Sequence, residues 1–151
     1  MDKAEIQFLI RFFTKIDLIQ TLMVTTKIRI ATLWATVMCG FALHTLADLL
    51  PLFGNGNITI DPSGNAPVWL LTFMMTVSYL IPSCGILCTF YGDRRAWRIA
   101  NCVFAALMLF FNVFHLSELF MEFNPVQLPL LHVILCVSGF LFRESWRGVK
   151  E

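Results

Sequence analysis

The chain has 151 residues, 58% apolar and 14% charged, with a formal net charge of +1. Soluble domains carry about 25% charged residues, so this composition excludes an ordinary water-soluble domain and leaves room for one membrane-embedded domain. Its small net charge, with cations distributed as membrane topology requires, argues against a nucleic-acid-binding module, which needs a basic surface facing one partner.

Taken in order, residues 4–24 read as an amphipathic helix rather than a span. Ile6, Leu9, Ile10, Phe13, Ile16 and Met23 recur at helical spacing, while Gln7, Arg11, Thr14, Lys15 and Thr21 take another face. Such a segment is expected to lie in the plane of the membrane surface, with its cations near anionic headgroups, or to bind a partner. Asp2 and Glu5 stand where a cleavable leader would be basic, so the first span is expected to stay as an anchor. Thr25 and Thr26 can cap the helix that follows.

The first span is expected over about residues 30–50, ended by Pro51 and Gly54. A loop rich in turn formers follows, and it contains the glycosylation tripeptide Asn57-Ile58-Thr59. The second span covers about 68–90, with Trp69 and Tyr91 as interface anchors. Pro82 removes a backbone donor inside it and predicts a kink, with Ser78 and Ser83 placed to satisfy freed groups. A tight turn at Gly92–Arg95 leads to the third span, about 96–120, and Asn124-Pro125 breaks the chain again. The fourth span, about 128–142, is only about 22 Å long at 1.5 Å per residue. Crossing a hydrocarbon core of about 30 Å then needs local thinning, or Arg143 and Arg147 reaching toward headgroups.

All eleven Lys and Arg residues fall in three patches: Lys3 to Arg29, Arg94 to Arg98, and Arg143 to Lys150. The loops after the first and third spans hold no cation, while Asp48, Asp61, Glu118 and Glu122 lie on their side. Cytoplasmic loops collect Lys and Arg, so the alternation predicts an all-α, antiparallel four-helix transmembrane bundle. Both termini are then cytoplasmic, and residues 4–24 form an N-terminal interfacial helix on the same side.

Ionisable groups inside spans are costly and are the first place to look for function. His44 and Asp48 share one face of the first span. Asn112, His115, Glu118 and Glu122 form a stripe on the third, which Asn101 extends, and His132 stands on the fourth. Once the topology is applied, the three histidines fall at similar depth in the outer half. His44, His115 and His132 are therefore candidate metal ligands, and the whole set can serve a ligand or a proton relay. Two imidazoles can also hold haem. The alternative is structural, since His–carboxylate hydrogen bonds can simply join helices. Neither HExxH nor a paired CxxC occurs. The five cysteines are all within expected spans. Cys84 and Cys88 share a helical face at a depth similar to Cys102, which suits a thiolate pair or plain packing.

Leu33-Trp34 with Asp48, Ile81-Pro82, and Arg95, Arg98 and Asn101 opening the third span resemble a group of small bacterial four-span membrane proteins without established activity. The resemblance touches three of the four spans and implies this fold and a bacterial inner-membrane location. An acidic residue often precedes the Ile-Pro pair in that group. Leu80 stands there here, which puts a shared charged site in the second span in doubt. A looser likeness to DoxX-type proteins rests on architecture, which does not imply function.

The leading expectation is an interaction or accessory protein rather than an enzyme. Its partners would be the bilayer, a membrane protein or a second copy of the chain, with no nucleic acid. A metal, haem, proton or small-ligand site on the outer histidines and carboxylates is one alternative. A lipid- or quinone-linked enzyme using a His–carboxylate pair as acid and base is another.

Overall fold

The computed structural model describes residues 3–55, 67–92, 94–118 and 127–150, without the side chains of 3, 4, 9, 10, 22, 23, 48–55 and 118 among them. It contains α1 (Lys3–Asn55), α2 (Val68–Tyr91), α3 (Arg95–Glu118) and α4 (Leu128–Lys150). All four are long and apolar enough to cross a membrane, and they pack against one another. In hydrocarbon every backbone polar group must be satisfied within its own helix, which is why these segments are helical throughout. Hydroxyls follow the same rule. Thr32, Thr36, Thr45, Thr72, Thr76 and Thr89 each donate to the carbonyl four residues earlier, at 2.8–3.1 Å.

Helix order and direction follow from side-chain pairs. Trp34 bonds Asn101 and His44 bonds His115, at nearly constant separations of 67 and 71 residues, so α1 and α3 run parallel. Asn101–Ser145 and Asn112–Ser138 are separated by 44 and 26 residues, a shrinking distance that makes α3 and α4 antiparallel. The buried seam uses alternating three- and four-residue steps. Ile30, Trp34, Val37 and Phe41 supply it from α1, Ala105 and Met108 from α3, and Leu131, Ile134 and Leu141 from α4. This is the spacing that keeps one stripe of a helix against its neighbours in a bundle. Opposite stripes hold large exposed apolar residues such as Phe110 and Phe114, which suits a surface facing lipid.

Three boundaries differ from the sequence expectation. Residues 4–24 are not a separate segment, because they continue without interruption into the first span as a helix of 53 residues. No Gly or Pro occurs between Lys3 and Cys39 to stop it. Thr25 donates back to the Thr21 carbonyl at 2.8 Å instead of capping a new helix. The helix also continues past Pro51 to Asn55.

α4 runs eight residues beyond the expected end at Phe142. Its 23 residues, about 35 Å, cross the hydrocarbon core without thinning. Beyond Phe142, Glu144 and Arg147 are paired. Glu144 receives Arg29 of α1 at 3.0 Å and Arg147 at 3.6 Å.

The proline in α2 is accommodated by a π turn over Thr76–Leu80, closed by the Ile81 N–H on the Thr76 carbonyl. The widened turn falls immediately before the residue that lacks a donor. Ser83 points to α1, where its Oγ donates to Met38 Sδ at 4.0 Å.

Candidate functional site

The polar residues of α3 lie on one face, and each meets a different neighbour. At the end carrying the basic patches, the fully buried Trp34 donates its indole Nε1–H to Asn101 Oδ1 at 2.8 Å, and Asn101 Nδ2 donates to Ser145 Oγ at 3.0 Å. Gly85 of α2 completes this junction. A Cβ added there would lie 2.2 Å from Trp34 Cε2, so only glycine lets α2 approach the indole plane. Further along, Asn112 Nδ2 donates to Ser138 Oγ at 2.7 Å, and Ser138 donates to the Ile134 carbonyl at 2.8 Å. Among the described residues, Asn112 Oδ1 is buried without a hydrogen-bond partner.

One turn beyond Asn112, the Nε2 atoms of His115 and His44 are 3.0 Å apart. A hydrogen bond between two ring nitrogens needs one protonated and one bare Nε2, so the pair shares one proton across the α1–α3 contact. Their rings meet edge to face at 4.9 Å. Phe111 stacks on the far face of His115, with centroids 5.7 Å apart and an interplanar angle of 18°. Phe111 in turn touches Phe41 of α1 and Phe73 of α2, each at 6.1 Å. The aromatic cluster therefore holds the His115 ring from three helices.

His115 also forms part of the wall of a cleft of about 590 Å³ between α2 and α3. Leu70, Phe73, Val77, Met108 and Phe111 are among its apolar lining, and His115 is the polar residue in the wall. The volume is within the range of small-molecule pockets, about 300–1,000 Å³. The rim residues Phe110 and Phe114 are exposed, so the cleft opens sideways on the bundle surface.

The structure thus brings together two of the three candidate histidines. His132 is exposed on α4, its Nδ1 2.7 Å from the Leu128 carbonyl of its own helix. It follows the seam residue Leu131 by one position, a rotation of about 100° that turns it away from the bundle centre. Two imidazoles fall short of the three protein ligands usual in a catalytic zinc site. Among the described residues, no three of His, Cys, Asp and Glu are grouped to hold a metal ion. The Asp48 and Glu118 side chains and all of Glu122 lie outside the described residues, as does Asn57. Cys84, Cys88 and Cys102 are free thiols, the last two buried.

Sequence reasoning found Asn101, Asn112, His44 and His115 through their cost in lipid, and included His132, which the structure leaves outside. It missed Ser138, Ser145 and Gly85, which are ordinary residues in an apolar helix until a partner is known.

The architecture defines an all-α, four-span membrane bundle with a polar pair beside a lateral apolar cleft. No protein family matches the chain, and neither a curated protein nor a solved structure is significantly similar to it.

Proposed function

We propose that this protein binds a lipophilic small molecule in the α2–α3 cleft, with the molecule's polar head directed to the His44–His115 pair. The cleft wall carries the argument: one imidazole, already engaged with a second at 3.0 Å, faces an otherwise apolar space of about 590 Å³. The His44–His115 bond joins α1 to α3, and the cleft leaves that polar group, costly in hydrocarbon, in the wall of a space open to a bound molecule. A polar head, as in a quinone or a lipid ester, would meet its polar partner at the imidazole in an otherwise apolar wall. The shared proton gives the same site a route for proton exchange with a bound head group.

We further propose a bacterial inner-membrane location, with the basic end and both termini cytoplasmic. The distribution of cations supports the orientation. The resemblance to small bacterial four-span proteins supports the location.

The test is titration of the detergent-solubilised protein with decylubiquinone, followed by tryptophan fluorescence quenching. Saturable quenching is expected, with affinity about tenfold weaker in His115→Phe, the loss expected for one hydrogen bond to a buried polar group. Phenylalanine keeps the stack on Phe111. Linear, unsaturable quenching that is identical in both proteins would mean simple partitioning and would remove the reading.

A second reading rests on α1. All described side chains before Thr26 are exposed, among them Phe8, Phe12, Phe13 and Leu18. This half of a helix about 80 Å long is therefore available for an accessory role, docking a membrane-protein partner or a second copy. Deletion of residues 1–24 should abolish partner co-purification while leaving the bundle folded. Undiminished co-purification would exclude the arm as the docking element.

A further inference from the structure

A second cavity, about 320 Å³, lies at the opposite end of the bundle from the histidine pair. All four helices contribute to its wall, including Thr26 and Lys27 of α1, Thr89 of α2, Arg98 and Asn101 of α3, and Ser145 of α4. Two cations line it and no carboxylate does. The nearby carboxylate of Glu144 is engaged by Arg29 and Arg147.

From this arrangement we infer that the cavity binds a phosphate group. Arg98 is half-buried, and among the described residues its buried Nε–H has no hydrogen-bond partner. An unpaired buried guanidinium donor is costly, and an anion with several acceptor oxygens satisfies it. The donors around it suit such an anion. Ser145 Oγ accepts from Asn101, which leaves its own O–H free to donate. Asn101 is fixed from both sides by Trp34 and Ser145, so this wall is preorganised.

Depth in the membrane indicates which phosphate. Tyr91, Trp97 and Trp146 are exposed at this end, where aromatic residues mark the headgroup level. A basic cavity between helices at that level suits the phosphate of an anionic phospholipid. A soluble phosphate would use the same donors.

The experiment is native mass spectrometry of the full chain released from detergent. The probes are phosphatidylglycerol, phosphatidylcholine, and phosphatidylglycerol with 10 mM inorganic phosphate present, about the ionic strength range in which screening of a buried contact is small. Wild type is expected to retain one phosphatidylglycerol preferentially. Arg98→Gln should lower retention about tenfold, the loss expected for a charge-assisted bond, and Arg98→Lys should keep part of it. Arg143→Gln, an exposed cation outside the cavity, should retain lipid as wild type does.

Loss of the lipid adduct to inorganic phosphate would assign the same cavity to a soluble phosphate. Equal losses in Arg98→Gln and Arg143→Gln would reduce the effect to general surface charge and overturn the site. So would retention of neither probe by a protein that elutes as a folded species.

Discussion

Replacing Asn101 with leucine keeps most of the side-chain volume and removes every polar contact at the junction of α1, α3 and α4. Two bonds are lost, Trp34 Nε1–H to Oδ1 at 2.8 Å and Nδ2–H to Ser145 Oγ at 3.0 Å. Side-chain bonds between membrane helices average about 0.6 kcal/mol and reach about 1.7. The pair is therefore worth about 1–3 kcal/mol. The upper part of that range is expected because Trp34 is fully buried, so its N–H loses its acceptor away from bulk solvent.

Stability is to be measured as SDS-driven unfolding in mixed micelles, followed by near-UV circular dichroism. A double-mutant cycle of Asn101→Leu with Trp34→Phe separates the bond from the loss of ring packing. A coupling of about 1 kcal/mol or more is expected, beyond the roughly 0.3–0.5 kcal/mol scatter of independent sites. Coupling inside that scatter would show that the two residues are neighbours without an energetic bond, and the account of the junction would fail.

Gly85→Ala should destabilise by about 1–3 kcal/mol, as overpacking does, because the new Cβ would meet an indole that Asn101 holds in place. Gly139→Ala is its control, since a Cβ there would meet nothing within 4 Å beyond its own stretch of helix. It should be neutral or slightly stabilising through helix propensity in the same unfolding assay, and equal effects at both sites would refute the steric argument. Amide hydrogen exchange should be faster in Thr76–Leu80 than in the middle of α3, because the π turn has poorer hydrogen-bond geometry and Pro82 follows it. Uniform protection along both helices would show that the turn is as stable as the rest.

The spans, their number and their mutual direction were legible because the bilayer makes two features costly: unpaired backbone and misplaced cations. Charge placement misled only at the ends. The span was expected to end at Phe142, before Arg143 and Arg147, yet α4 continues past the Arg29–Glu144 pair, and no sequence pattern connects residues 115 apart. The same limit applies to the site. Histidine depth could be read from position along each span, and it placed His44, His115 and His132 at one level. Which of them converge depends on helix rotation, and one residue of offset from the seam separates His132 from the other two. Gly85 was illegible for a related reason. Its role exists only because Trp34, 51 positions earlier in the chain (85 − 34), lies against it.

Helix α3 is fastened to α1 and α4 by polar bonds at successive levels: Asn101 to Trp34 and Ser145, Asn112 to Ser138, and His115 to His44. α2 is held differently. Its described residues make one side-chain hydrogen bond to another helix, the weak Ser83–Met38 contact, and otherwise rely on packing around Gly85 and Val77. Hydrogen bonds have directional requirements that fix rotation, whereas apolar packing beside lipid can exchange one neighbour for another at small cost. The lateral cleft lies on the α2–α3 boundary, next to the π turn, where the bundle has least polar fastening. On the proposed reading, a molecule entering from the bilayer would need to displace only apolar contacts of α2, while α1 and α3 keep the histidine pair aligned.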